Sequence, residues 1–325
     1  PEALEVALRQ ATSGGTKAAR TISAEFLARK TWTPSPDQIV FTANGRQCIA
    51  AALAAVVPPG GRCGVEALTY PFIKGIAARL GVTLVPLAMD EHGVRPDAVQ
   101  KAHREAHLSA LYVQPIIQNP LGITMPAARR ADLLRVVEKL DLTIIEDNVY
   151  AFLDDEPPLA VLAPDRCIVI DSLSKKVAAG LALGFIVAPP RLRENVIASV
   201  RSGGWTASGY AFAAAQRLMG DGTAAELARL KRIDAVRRQQ LAVKCLAGFE
   251  IQTNYRSYHL WLTLPPHWRS QTFVAAAARR ATAFTPSTTF SGTPRPPPDA
   301  GRPGLALPRV GYPAAAPPAP ACGRV

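Results

Sequence analysis

The sequence predicts an α/β protein, with a large domain built on a mostly parallel sheet covered by helices on both faces and a smaller α+β domain behind it. Three observations predict this. From about residue 38 to residue 190, short apolar runs of strand length alternate with helical patterns, as parallel strands joined by crossover helices require. The 325 residues are too many for one small domain at roughly 150 residues each. The chain is 48% hydrophobic and 19% charged, which supplies a sizeable core.

The elements follow in order. Gln38 to Thr42 reads as a short strand running into a turn, and Arg46 to Val57 as an apolar helix. Arg62 to Glu66 is a buried strand, Pro71 to Leu80 a helix, and Thr83 to Pro86 another strand. Pro96 to Ala106 and Ala127 to Leu140 are helical, and Ala110 to Gln114, Thr143 to Glu146 and Cys167 to Asp171 are apolar runs of strand length. A second region begins near Pro189. Thr223 followed by Glu226 reads as a capping box opening a long helix to about Leu246. A strand pair around Phe249 to Leu264 and a helix at Gln271 to Ala281 come next.

These readings divide the chain into an N-terminal segment (1–35), a large domain (36–190, continuing in helices to about 220), a small domain (221–290) and a tail (291–325). Ten of the 29 prolines fall in those last 35 residues, so an irregular tail is expected there. Proline lacks the N–H a ladder needs, so no central strand is expected at Asp299–Pro303.

Composition narrows the function classes. The net charge is +12, but the basic residues are scattered and only nine of 37 are lysine, which argues against a nucleic-acid-binding stripe. The densest basic stretch, Arg229, Lys231, Arg232, Arg237 and Arg238, reads as a solvated helix face. No apolar run reaches the ~20 residues of a membrane span. Five scattered cysteines fit neither a zinc site nor a disulfide framework, so a reducing, cytoplasmic setting is expected. No basic segment leads into an apolar one after Pro1, so no signal peptide is expected, and a fragment or processed start is.

The carboxyl ends of the strands carry the polar residues. Asn44-Gly45-Arg46-Gln47 lies between a strand and a helix, where free N–H groups and the helix dipole suit a phosphate. Tyr70 precedes the next helix, and Asn119-Pro120-Leu121-Gly122 follows the Ala110 to Gln114 strand. Asp147 and Tyr150 follow Thr143 to Glu146, and Ser172-Leu173-Ser174-Lys175 follows Asp171. Each motif alone reads as a turn or a cap. In this order they resemble the fold-type I pyridoxal-phosphate enzymes, specifically class I/II aminotransferases, and are most similar to the aminotransferase-like half of the MocR group of GntR regulators. The resemblance runs from about residue 36 to about residue 290.

The resemblance implies a seven-stranded large-domain sheet, pyridoxal 5′-phosphate as cofactor and a homodimer acting on an amino acid and a 2-oxo acid. It implies that Lys175 forms the Schiff base and moves the α-proton, with Lys176 as a neighbouring cation that lowers the pKa of the amine. Asp147 would face the pyridine nitrogen, Asn119 and Tyr150 the ring hydroxyl, and Tyr70 the ring face. Ser172, Ser174 and the Gly45–Arg46–Gln47 turn would hold the phosphate. Arg46, Trp205, Tyr210, Tyr258 and His259 could line a substrate pocket, though each reads first as packing or surface.

Two departures stand out. The family's phosphate-binding arginine is replaced in Gly180-Leu181-Ala182-Leu183-Gly184, and losing such a pair costs about 1.5–3 kcal/mol. Lys176, Arg46 and Arg201 are the nearby cations that could substitute. The family's late carboxylate-binding arginine has its nearest match in Arg302, set among glycine and proline; the tail is either natively irregular or the product of a reading frame shifted near residue 291. Three functions stay open: an aminotransferase, the cofactor-binding sensor half of a MocR-type regulator, or a degenerate relative. Nucleic-acid binding is expected only if a winged-helix domain belongs ahead of Pro1.

Overall fold

Buried strands with helices between them form the larger part of the molecule. The computed structural model describes residues 12–279, 282–292 and 299–305. Helix α1 (Lys17–Leu27) is capped by Thr16, whose hydroxyl accepts from the N–H of Ala19. There follow β1 (Ile39–Thr42), α2 (Gly45–Val56), β2 (Arg62–Glu66), α3 (Phe72–Arg79), β3 (Thr83–Leu87), the short pair β4 (Met89–Asp90) and β5 (Gly93–Val94), and α4 (Pro96–Glu105). Next come β6 (Ala110–Val113), α5 (Ala127–Lys139), β7 (Thr143–Asp147), β8 (Cys167–Ser172), α6 (Leu173–Lys176), β9 (Gly184–Val187), α7 (Pro190–Ser202), α8 (Gly209–Gly220) and α9 (Thr223–Cys245).

Among the described residues, seven strands form one sheet in the order β1-β9-β8-β7-β6-β2-β3. Strands β3, β2, β6, β7 and β8 pair in parallel, while β9 runs against both β8 and β1. The reversed strand lets β1 point the same way as β8, so the carboxyl ends of β1, β2, β6, β7 and β8 meet at one edge. In open α/β sheets that edge is where ligands bind.

Side chains alternate between the two faces, as the strand period demands. Phe41, Leu111, Val113, Ile144, Val169 and Phe185 pack in one core, and Val40, Val65, Tyr112, Ile145, Ile170 and Ile186 in the other. Ile144 and Ile145 are both fully buried, each contributing about 1.5–3 kcal/mol by leaving water.

The second sheet contains β10 (Ile251–Thr253), β11 (Leu260–Thr263), β12 (Phe284–Pro286) and β13 (Ala300–Pro303), in the order β10-β11-β13-β12 and antiparallel throughout. Phe273 stacks edge-on against Phe284 at 4.7 Å between ring centroids, tying the helix over Ser270–Arg279 to this sheet.

Three expectations need correction. Ala300–Pro303 is a central strand despite its glycine and proline. Proline falls at its last position, limiting the loss to one terminal N–H, and Gly301 is required because a Cβ there would overlap the Phe284 ring and come 2.5 Å from the Thr285 carbonyl oxygen. Of the rest of the expected irregular tail, Ser291 bridges Leu68 and Gly304 bridges His259, while residues 293–298 and 306–325 lie outside the described residues. The capping box at Thr223 does not form. Gly222 is the cap residue of α9, Asp221 accepts from the N–H of Thr223 at 2.9 Å, and Glu226 pairs with Arg229 instead. The basic stretch on α9 is not merely solvated: Lys231 donates to the Lys175 carbonyl at 2.9 Å, and Arg232 pairs with Asp155 at 2.9 Å.

Gly184 starts β9 where β1, α2 and β8 converge. A Cβ there would overlap Thr42 Oγ1 and come 2.5 Å from Cys48 Sγ and 2.7 Å from the Asn44 carbonyl oxygen. Gly184→Ala is expected to destabilise the protein by about 1–3 kcal/mol, read as a lower midpoint in urea unfolding. An unchanged midpoint would mean that this junction yields freely.

Candidate active site

A cavity of about 440 Å³ lies at the shared carboxyl edge of the large sheet. Its walls include Gly45, Arg46, Tyr70, Asn119, Asp147, Tyr150, Ser172, Ser174, Lys175, Ala182 and Arg302. The strand ends and the turns after them therefore bring together, from six separate segments, the residues singled out in the sequence. Among the residues expected to hold the cofactor, Gln47 is the exception. It is not in the wall, and its N–H donates to Asn44 Oδ1 at 3.1 Å as part of the α2 cap. The phosphate-suited turn is thus Gly45 and Arg46, the first two helical residues, whose N–H groups lie beyond the reach of the helix's own bonding.

Asp147 ends β7 with its carboxylate buried. Tyr112 donates to Oδ2 at 2.5 Å, Gln114 Nε2 to the same oxygen at 3.2 Å, and the Val149 N–H to Oδ1 at 3.1 Å. Burial pushes the carboxyl up to about 6, and the Tyr112 hydroxyl and Val149 N–H hold it there against a larger rise. Tyr112 and Gln114 were not anticipated. Their signal was a pair of polar residues two apart at the carboxyl end of an apolar strand, which puts both on one face toward the neighbouring strand end.

The two adjacent lysines part company. Lys175 is exposed to the cavity, its Nζ 5.8 Å from the Tyr150 ring centroid. Lys176 is buried on the other side of α6, bonded to Asp171, with its Nζ 5.1 Å from the centre of the Phe26 ring. Burial lowers the Lys176 pKa, and Asp171 offsets part of that. The expectation that Lys176 flanks the Lys175 amine as a cation is therefore corrected: it faces Asp171 instead.

Arg302 reaches the cavity from β13, and its Nη1 donates to Asn119 Oδ1 at 3.0 Å. Its Nε is buried without a partner among the described residues. Behind Tyr150, His259 is buried with its ring 5.2 Å from the tyrosine ring and Nε2 3.0 Å from the Gln118 carbonyl oxygen; burial pushes it down to about 3. His259, Trp205, Tyr210 and Tyr258 stay outside the cavity wall. Tyr258 instead donates to the Lys231 carbonyl at 2.7 Å.

The contrast between the lysines generates a stability test. Lys176→Met leaves the buried Asp171 carboxylate with the Ser172 N–H and, as its remaining cation among the described residues, Arg29 at 3.4 Å, and is expected to cost about 3 kcal/mol. Lys175→Met is expected to change stability by no more than about 0.5 kcal/mol, since its head is exposed. Equal losses in thermal unfolding would mean that the two roles are assigned the wrong way round.

The sequence pattern of the family described as aminotransferase class I and II matches residues 7–295. The chain is 30% identical over 257 residues to the uncharacterized HTH-type transcriptional regulator YdeF of Bacillus subtilis, covering 78% of this chain and 56% of that protein. It is 28% identical over 176 residues to the mitochondrial kynurenine/alpha-aminoadipate aminotransferase of Bos taurus, covering 49% of this chain and 41% of the other. The kynurenine aminotransferase of Pyrococcus horikoshii, crystallised with PMP, superposes with a TM-score of 0.83 at 22% identity over 94% of this chain and 79% of its own. The chain thus spans a little over half the length of YdeF. A family match over most of the length and a shared architecture agree: this chain belongs to the class I and II aminotransferase family and has the fold-type I aminotransferase fold.

Proposed function

We propose that the cavity holds pyridoxal 5′-phosphate on Lys175 and that the protein, as a homodimer, transfers an amino group between an amino acid and a 2-oxo acid. The observation that carries this reading is one cavity that presents both a buried carboxylate, Asp147, and an accessible lysine amine, Lys175. The walls fit the cofactor. A Cβ on Gly45 would sit 3.3 Å from Ser172 Cβ, so the glycine leaves a gap between the start of α2 and the serine hydroxyls for a phosphate. The desolvated Asp147 carboxylate suits a ring N–H, whose positive charge would favour its ionised form.

When bound, the cofactor supplies an electron sink for the bond to the substrate α-carbon. The chain's own residues do the rest. Asp147 keeps a proton on the ring nitrogen, with Tyr112 and Gln114 fixing its carboxylate. Asn119 and Tyr150 would hydrogen-bond the ring hydroxyl; Arg302 engages Asn119 Oδ1, which leaves the amide nitrogen as the donor. Tyr70 would cover a ring face. The Lys175 amine would carry the α-proton, and the Arg302 guanidinium would pair with the substrate carboxylate.

A second reading is favoured by one observation, the 30% identity to a transcriptional regulator that extends well beyond this chain. In that reading the same site captures an amine as a signal, and turnover is not its purpose. A visible absorbance band on adding pyridoxal phosphate tests the shared premise, and its absence would sink both. An amino acid that bleaches the band and a 2-oxo acid that restores it, cycle after cycle, supports transfer; a band that shifts with the amine and never recovers supports sensing.

The Asp147 carboxyl adds a pH test. Raised to about 6, it is protonated below that value and ionised above it. A ring N–H needs the ionised form, so cofactor retention in dialysis is expected to be full at about pH 7.5 and to fall as the pH drops through about 6. Asp147→Asn is expected to weaken retention and to flatten this dependence. Retention already flat in the unmutated protein would remove Asp147 from the site.

A further inference from the structure

We infer that the Arg46 side chain supplies the phosphate-binding cation that the chain lacks at Ala182. The inference rests on the cofactor reading above and assigns the charge its phosphate would need. Ala182 is in the cavity wall with Ser172 and Ser174, so the stretch after Lys175 does reach this end and brings no charge to it.

The other cations nearby are engaged or remote. Lys176 is buried against Asp171 on the far side of α6. Lys231 donates to the Lys175 carbonyl. Arg302 comes from the second sheet and is bonded to Asn119. Arg201 is exposed on α7 and not in the wall. Arg46 remains, and it is in the wall directly after Gly45.

Its surroundings hold the guanidinium without neutralising it. The guanidinium carbon lies 3.9 Å from the centre of the Phe72 ring. It is also close enough to the Tyr70 hydroxyl to offset part of what burial does to that phenol. An aromatic ring and a hydroxyl fix the plane of the fork and leave its charge unpaired. Phe72 is 51% exposed, an unusual amount for a phenylalanine and accounted for if its face serves as the support. A planar two-pronged donor matches two phosphate oxygens at once, which a lysine at this position could not do.

The experiment titrates the protein with pyridoxal 5′-phosphate and, separately, with pyridoxal, which has the same aldehyde and no phosphate, following the visible band. Arg46→Gln is expected to weaken the phosphorylated aldehyde about tenfold and to leave pyridoxal unchanged. Arg46→Gln combined with Ala182→Arg is expected to recover most of the loss, because the cation returns from the other wall. Arg46→Lys, which keeps charge without the fork, is expected to fall between. Loss of both aldehydes in parallel, or of neither, would overturn the inference while leaving the cofactor reading intact. If the unmutated protein takes up neither aldehyde, the cofactor reading itself fails and this inference falls with it.

Discussion

Asp171, buried one residue before the end of β8, has its carboxylate bonded to buried Lys176 and 3.4 Å from Arg29, a residue just beyond α1. Burying these charges is costly unless they meet, and meeting fixes three segments at once. The N-terminal helix is drawn onto the large domain, with Phe26 beneath the Lys176 ammonium. The last turn of α6 is pinned by its inward lysine. Because successive residues of a helical turn point about 100° apart, holding Lys176 inward leaves Lys175 to face the cavity.

From that edge a polar chain crosses the molecule. Tyr112 and Gln114 meet on Asp147 Oδ2, the Asn119 N–H donates to Gln114 Oε1 at 3.2 Å, and Arg302 donates to Asn119 Oδ1. A branch runs through Glu66, which accepts from the Gln114 N–H at 3.3 Å and from Gln118 Nε2 at 3.2 Å, and which burial pushes up to about 8. Gln118 in turn meets His259 of the second domain through its carbonyl. The groups that would hold the ring nitrogen and the substrate carboxylate are thus ends of one hydrogen-bonded path. In a low-dielectric interior such a path is rigid when complete, so Arg302 and Asp147 hold fixed positions relative to each other although 155 residues separate them in the chain.

Much of this was legible in sequence because strand ends in a parallel sheet concentrate polar residues that have no packing reason to be there. Asn119, Asp147, Tyr150 and Lys175 each follow an apolar run, and their spacing resembled a known order. What escaped were relations that no single strand carries. The partner of Lys176 is set by the sheet edge and by α1, not by its neighbours in sequence. Strand β13 was discounted on its glycine and proline, yet Gly301 is selected by the Phe284 ring lying across it, a contact invisible in a linear reading. Strand β9 begins at Gly184, the last residue of the Gly180–Gly184 stretch, so its start was hidden in what read as a turn.

The join between the two sheets is partly apolar and partly ionic. Ile116, Ile117, Phe152 and Leu153 of the large domain pack with Ala235 and Tyr258 of the second part in a small apolar cluster. Around it, Arg232 and Arg256 pair with Asp154 and Asp155 at 2.9 to 3.2 Å, all partly open to solvent. Pairs of that kind contribute about 0–1 kcal/mol each, against the several a large apolar interface would add. Further bonds tie the second sheet and its flank to the first: Arg302 to Asn119 Oδ1, His259 to the Gln118 carbonyl, and Lys74 Nζ to the Thr289 and Ser291 carbonyls at 2.8 and 2.7 Å. Arg302 has donors to spare, since Nη1 is taken by Asn119 Oδ1 while Nε is buried without a partner among the described residues. The guanidinium that Asn119 holds through Nη1 therefore keeps an unpartnered N–H, so the second sheet brings a donor to this edge without giving up the bond that places it.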